Sequence, residues 1–393
     1  AFAQGNLTPS GTPAPTMKTL EQIEPRIDVA KLAGDAGSHV IISNAGSYYL
    51  STNLAVTKTN GITIAAAGVT LDLNGFEIAR VSGSGGDGIR INGGSDRATV
   101  RNGTLRGFSY GINGLVAPIV KGCLFEKLAV TSCSFVGIHA GDSARVLDCR
   151  AHNNTGTGIV ALDSSVISGC TVGNNQGDYG IYAGTGSTIS GCTARENQGN
   201  HGIYAGLGST IRDCTAYNNT GTGSSSYGIY GASGVTIIAC TSYGNNNTNS
   251  PATPSHGIGI YASTGSTVKD CAARSNRGDG IQVASACLVE GNTCNANGNS
   301  GDGAGIHSTS TRNRIEANTV TLNDRGIDVD STASLIIRNY AATNGTNYVI
   351  AAASNRYGPI IDYTGAGSPT PAVSGSSAAS TVSTTDPWAN FAQ

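Results

Sequence analysis

Charged side chains are scarce in this chain. Asp, Glu, Lys and Arg make up 12% of its 393 residues, about half the share of an ordinary soluble domain. Their signs nearly cancel, to a net charge of −2, so no basic field exists for nucleic acid or for an anionic membrane surface. No apolar run approaches the ~18 residues of a membrane-spanning helix. Helical periodicity of 3.6 residues and a leucine consensus are missing from the repeating part, which excludes ankyrin-type and leucine-rich arrays. The chain is instead rich in glycine, 56 residues, and in Ser, Thr and Asn. Such a composition suits a backbone that satisfies its polar groups through ladders of its own.

The order of these residues is periodic. Between Ile89 and Ile327 the dipeptide Gly-Ile returns every 21 to 31 residues, eleven times in all. Eleven residues beyond seven successive isoleucines stand Cys123, Cys149, Cys170, Cys192, Cys214, Cys240 and Cys271. Five residues beyond the last six of these stand Asn154, Asn175, Asn197, Asn219, Asn245 and Asn276. Where the cysteines stop, Asn292, Asn318 and Asn339 take their column, and the same offset finds Asn297, Asn323 and Asn344. Residues about 22 apart are therefore stacked neighbours in a solenoid.

One period, Ile181 to Gly202, has room for three short strands, near 181–183, 187–190 and 192–194, separated by Gly-Thr-Gly and by Glu-Asn-Gln-Gly turns. Strands that each pair with their copy one turn away, at ~4.8 Å, make an all-β, single-stranded right-handed parallel β-helix. Its predicted length is about eleven rungs, or roughly 50 to 60 Å. An antiparallel sandwich, the main competing architecture, would not keep the register or the asparagine column. Isoleucine, the residue eight later and cysteine are expected to point inward. Residues 1–38 read as a strap followed by a short capping helix over Met17 to Leu32, residues 39–365 as the β-helix, and residues 366–393 as a Ser/Thr-rich tail whose single tryptophan, Trp388, folds back over the last rung. The opening Ala1-Phe2-Ala3 reads as the remnant of a signal-peptide site and predicts a secreted, cell-surface or extracellular bacterial protein.

Ten cysteines in an exported protein ordinarily suggest disulfides. In-register side chains of parallel strands point the same way, however, and do not reach the near-perpendicular torsion of a disulfide. A ladder of buried free thiols is expected instead. Cys133, Cys287 and Cys294 fall outside the column, and Cys287 with Cys294 is the pair to check.

With these columns in hand, the chain resembles the pectate-lyase-like right-handed parallel β-helix superfamily. More narrowly, it is similar to a group of exported bacterial β-helix proteins of no established activity. That likeness rests on the opening Gly5-Asn6-Leu7-Thr8-Pro9 with Met17-Lys18-Thr19-Leu20-Glu21-Gln22-Ile23-Glu24-Pro25-Arg26, on Val69-Thr70-Leu71-Asp72-Leu73-Asn74-Gly75-Phe76, and on Pro387-Trp388-Ala389-Asn390-Phe391. The resemblance implies the fold, and polysaccharide as the substrate class. It does not bring a catalytic signature. The Asp-Asp step and Gly-His-Gly of polygalacturonase-like enzymes are missing, as are an Asp/Glu calcium cluster and the Asp-Pro-His of alginate epimerases.

The residue after each isoleucine faces out, and four such positions in succession are Tyr182, Tyr204, Tyr230 and Tyr261, followed by Gln282. Two residues before the isoleucine come Tyr179, His201 and Tyr227, with His256 supplied by a long loop. The bland reading is that tyrosine suits strands and that stacked rings stabilise a solenoid face. Against it, the insertions at 219–227, 245–257 and 297–304 all leave from the corner beside this strip, and loops gathered on one face of a repeat protein build binding walls. The strip is expected to bind a linear glycan, a uronate-containing chain being one candidate, through Tyr179, Tyr182, His201, Tyr204, Tyr227, Tyr230, His256, Tyr261 and Gln282. His201, Tyr204 and Tyr182 are the candidate acid/base groups for β-elimination. Catalysis itself stays open; if the strip is catalytic, a lyase is expected over a hydrolase, because no carboxylate pair at hydrolytic spacing stands out. No metal or cofactor is expected. The Gly-Asp-Gly phrases at Asp87, Asp279 and Asp302 lack the alternating acids of a calcium loop and read as turns. The alternative is a non-catalytic surface or matrix protein whose tyrosine strip is a self-association interface in a homo-oligomer, or a partner interface.

Overall fold

The computed structural model describes residues 26–83, 85–221, 226–248, 257–298, 303–351, 353–362, 373–375 and 386–392. They form a parallel β-helix. Fifteen strands, from Ser38–Ile42 to Val373–Gly375, pair in register along one face, bounding fourteen turns. The eleven expected rungs are the eleven Gly-Ile strands of that face. Of the four extra strands, that of Ile62 carries a further Gly-Ile dipeptide, Gly61-Ile62, one coil before Ile89, while those of Val40, Tyr348 and Val373 pair in the same sheet without the dipeptide and so escaped the repeat.

A typical coil runs Tyr179–Ala183 on this first face, Thr188–Ser190 on the second and Thr193–Arg195 on the third. These strands lie within two residues of the predicted ones. Ile181, Ile189 and Ala194 point into the core and are fully buried, as are their counterparts Ile203, Ile211 and Ala216 one coil on. The corners leading into and out of the third face each turn on one residue in the left-handed region, directly before the ladder residue. Gly191 (φ 59°) precedes Cys192, and Glu196 (φ 54°) precedes Asn197.

The asparagines after the third strand form a continuous amide ladder. Asn175 Nδ2 donates to Asn197 Oδ1 at 3.0 Å and to Ala151 O at 3.0 Å, while Asn175 N donates to the same Asn197 oxygen at 3.2 Å. Every polar atom of the buried amide is thus used, which is the condition for burying it without a large penalty. At the cysteine corner a second ladder begins at Asn292 and ends on Asn390, whose Oδ1 accepts from Asn339 N at 3.0 Å. At the remaining corner serines do the same work, Ser165 N donating to Ser187 Oγ at 3.1 Å and Ser187 N to Ser209 Oγ at 3.0 Å. This third ladder was not anticipated.

All ten cysteines are free and buried. The three irregular ones each occupy another inward column. Cys133 opens the asparagine column, its N–H donating to Asn154 Oδ1 at 2.9 Å. Cys287 lies in the serine column, donating to Asn313 Oδ1 at 2.8 Å, and Cys294 stands beside Ala273 in the third-face column. Cys287 and Cys294 therefore belong to different columns and do not pair.

At the N-terminal end residues 17–25 of the predicted helix lie outside the described residues. Residues 26–32 are not α-helical: a two-residue strand, Ile27–Asp28, pairs with Gly46–Tyr49 and leads into a single 3₁₀ turn, Val29–Lys31, capped by the Asp28 carboxylate. Pairing with an open edge satisfies backbone groups that a helix would leave exposed. At the other end the strand Asn390–Ala392 adds beside Tyr340–Ala342. What closes the coil is Asn390 and Ala392; Trp388 remains 45% exposed, with Arg338 stacked on its ring at 4.3 Å. Among the described residues no helix is long and apolar enough to cross a membrane.

Candidate functional site

Glycine organises the outer surface of the first face. A Cβ on Gly180 would sit 2.6 Å from Gly202 O and 2.7 Å from Asn197 Nδ2, and the same holds for Gly202 against Gly228 O and Asn219 Nδ2. The glycine therefore presses its bare Cα against the asparagine ladder and breaks the strict in-out alternation of the strand. The residue before it and the residue after the isoleucine then both face outward, three apart. Two side-chain columns run next to each other along the rod as a result.

In the middle coils these columns are aromatic. Tyr182, Tyr204, Tyr230 and Tyr261 stack with centroid spacings of 5.0, 5.0 and 4.9 Å and interplanar angles of 4°, 7° and 18°. Beside them Tyr179, His201 and Tyr227 succeed each other at 5.2 Å, tilted by 39° and 41°. Edge-to-face contacts of 5.0 to 5.5 Å tie one column to the other. The coil repeat sets the spacing, and all seven residues are half-buried. Tyr204 and Tyr230 have a parallel ring on both sides, so they offer outward mainly ring edge and hydroxyl rather than an open face. Among the described residues the hydroxyls of Tyr182, Tyr204 and Tyr230 make no hydrogen bond.

Burial pushes the Tyr230 phenol up to about 12, reinforced by the neighbouring phenols, and raises those of Tyr179, Tyr182 and Tyr261. They stay protonated and act as donors at neutral pH. Burial lowers His201 to about 4, and its Nδ1 has no partner among the described residues. The imidazole is thus neutral at neutral pH, with its unpartnered Nδ1 turned away from solvent. His256 lies outside the described residues. Gln282 continues the first column, opposite Tyr261.

The wall expected beside the strip is described only at its roots. Thr220–Gly221 and Asn246–Asn247 pair at the corner that precedes the aromatic strands; residues 222–225, 249–256 and 299–302 lie outside the described residues. Arg195, Arg212, Lys269 and Arg274 lie on the second and third faces, as their register required.

Sequence reasoning missed what closes the two ends of the strip. Towards the N-terminus His139 and Asn113 occupy the outward column but are 6% and 9% exposed. His139 is lowered to about 4 by burial, and Asn113 donates to Asp87 Oδ2 at 3.0 Å, which Arg90 also contacts at 3.3 Å. Towards the C-terminus Gln282 is followed in register by His307 and Asp328. His307 lies between two carboxylates, Nδ1 at 2.8 Å from Asp279 Oδ2 and Nε2 at 3.0 Å from Asp330 Oδ2. Burial alone would depress His307, but the bonds to Asp279 and Asp330 and the charge of Asp328 prevail and raise it to about 9. Asp328 is 1% exposed; burial raises its carboxyl against the pull of His307 and Arg325. The signal was present, since His307 and Asp328 stand next in the column that named the tyrosines, and Asp279 precedes a Gly-Ile dipeptide.

Residues 38–190 and 179–342 match the family model described as a right-handed β-helix region. Among solved structures, the A-module of the Azotobacter vinelandii mannuronan C-5 epimerase AlgE6 is similar over 90% of this chain and 100% of its own, with 15% identity and a TM-score of 0.51. The A-module of the mannuronan C-5 epimerase AlgE4 from the same organism is similar over 79% of this chain and 90% of its own, with 14% identity and a TM-score of 0.45. At that identity the likeness is one of fold. No curated protein sequence matches the chain significantly.

Proposed function

Since the chain belongs to the right-handed β-helix family, in which outward side chains of successive coils form continuous columns, we propose that it binds an extracellular linear glycan lengthwise on the aromatic columns of its first face. The observation that carries this reading is the array of seven rings in unbroken contact, partly exposed, with the hydroxyls of Tyr182, Tyr204 and Tyr230 unpartnered among the described residues. Phenol hydroxyls repeated once per coil suit a polymer whose hydroxyls also repeat along a line, and ring edges between them accept its apolar patches. No Lys or Arg stands in the strip and His201 is neutral, so the strip favours uncharged sugar rings. Within the two columns, among the described residues, guanidinium groups stand only at the ends, at Arg90 and Arg325.

A second reading makes the strip catalytic, with His201 as the base that removes the proton α to a uronate carboxylate and Tyr204 or Tyr182 as the donor to the leaving oxygen. It is favoured by the neutral His201 imidazole, which stands beside phenols that remain protonated. One experiment separates the readings. The protein is incubated with a panel of plant and algal polysaccharides, following retention and the ultraviolet absorbance of unsaturated products. Retention without absorbance, lost in Tyr204→Ala and Tyr230→Ala, supports binding alone. Retention with absorbance that His201→Gln abolishes supports elimination. A self-associated species in solution with no glycan retained overturns both and favours the strip as an interface between copies.

A further inference from the structure

Beyond the aromatic strip, we propose that His307, Asp328 and Asp330 form a binding site for one divalent transition-metal ion. His307, Asp328 and Asp330 each offer a ligand atom, all within 4.8 Å of one another. The His307 Nε2 to Asp330 Oδ2 contact is a hydrogen bond of 3.0 Å, whose proton a bound ion would displace. An independent observation points to a cation here. Asp328 is 1% exposed, and its Oδ1 has no hydrogen-bond partner among the described residues, although its Oδ2 is held by Arg325. A buried carboxylate oxygen left without a donor is costly, and a cation would satisfy it.

The surroundings have the form of a metal centre. Asp279, whose side chain is 3% exposed, takes the Nδ1 side of His307 at 2.8 Å and its other oxygen accepts from Ala304 N at 2.7 Å. This fixes the ring and leaves Nε2 to point at the two carboxylates, the carboxylate–histidine arrangement that orients metal-bound imidazoles. The ligands come from adjacent coils of one sheet, His307 from Ala304–Ser308 and Asp328 from Arg325–Val329, so the coil register holds them. Asp330 is 52% exposed and gives the ion access from solvent. An imidazole with two carboxylates selects a borderline ion such as Zn²⁺ over Ca²⁺ or Mg²⁺, which prefer oxygen alone.

The test is titration calorimetry of the full chain, stripped with a chelator and free of glycan, with Zn²⁺, Mn²⁺ and Ca²⁺ in turn. One equivalent of Zn²⁺ is expected, at least tenfold tighter than Ca²⁺, with a rise in melting temperature. Asp330→Asn, at an exposed position that the fold does not need, and Asp328→Asn should each lower Zn²⁺ affinity at least tenfold with unchanged circular dichroism. Asp279→Asn should lower it tenfold or more by freeing the ring. Absence of a stoichiometric site, or Zn²⁺ affinity unaltered in Asp330→Asn and Asp328→Asn, would overturn the assignment. Because no glycan is present, either result leaves the strip's own test independent.

Discussion

Replacing Tyr204 by Phe separates two ways in which the strip could hold a sugar chain. Tyr204 stacks on Tyr182 and Tyr230 at 5.0 Å on either side and meets Tyr179 and His201 edge-on. Phe preserves all four contacts and removes only the hydroxyl, which has no protein partner among the described residues. Stability should therefore be unchanged. Binding should weaken by the ~0.5–1.5 kcal/mol of one neutral hydrogen bond, about two- to twelvefold in affinity. Tyr204→Ala should lose this and also the two stacks, each worth ~0.5–1.5 kcal/mol beyond the area buried, so its melting temperature should fall as well. Affinity electrophoresis or calorimetry on the glycan retained by the wild type, with thermal unfolding of each variant, gives both quantities. Full affinity in Tyr204→Phe would refute the reasoning that the inner rings present edge and hydroxyl, and would mean that ring faces do the binding.

Asn219→Ala removes the acceptor of Asn197 N and Nδ2, at 3.2 and 2.9 Å, deep in the ladder; two buried donors left bare at ~1–3 kcal/mol each should lower the unfolding midpoint clearly, and an unchanged midpoint would mean that water replaces the amide. Gly202→Ala should destabilise at least as much and disturb the strip, because the added methyl falls 2.6 Å from Gly228 O; overpacking of this kind costs ~1–3 kcal/mol or more. His139 and His201 are lowered to about 4 by burial, whereas an unfolded imidazole titrates near 6.5. Protons at these two sites thus prefer the unfolded chain, so the contribution of His139 and His201 should be intact above pH ~6.5, fall as the pH drops towards 4 and level off below. Urea unfolding of wild type and His139→Gln at pH 7.5 and 4.5 checks the sign, and equal slopes would contradict it. Burial pushes Cys133 up to about 12 and Cys123 to about 11, so native protein at pH 8 should resist iodoacetamide at both, and mass spectrometry showing rapid labelling would refute their burial.

Much of this protein is written as columns. A parallel coil places each residue over its copy, so a spacing of about 22 in the sequence becomes a contact in space, and Gly-Ile, cysteine and asparagine could be assigned to a strand and two corners without coordinates. The column that predicted the tyrosines also contained His307 and Asp328. Neither was assigned a role, because a column states who stacks on whom and says little about depth. Asp328 and Tyr182 hold equivalent positions, yet one is buried and the other half-exposed, since burial depends on what neighbouring coils and loops lay over the column. The off-column cysteines escaped for the same reason, each belonging to a different inward stack.

The amino-acid order alone determined the repeat, the strand positions, the inward stacks and the line of aromatic residues, because each follows from translation along one axis. Only the folded chain decided the tilt and packing of the rings, the closure of the C-terminal coil by Asn390, and the meeting of Asp279 with His307, Asp328 and Asp330. Those contacts join side chains across different columns and coils, where distance is set by twist, corner geometry and burial rather than by the repeat.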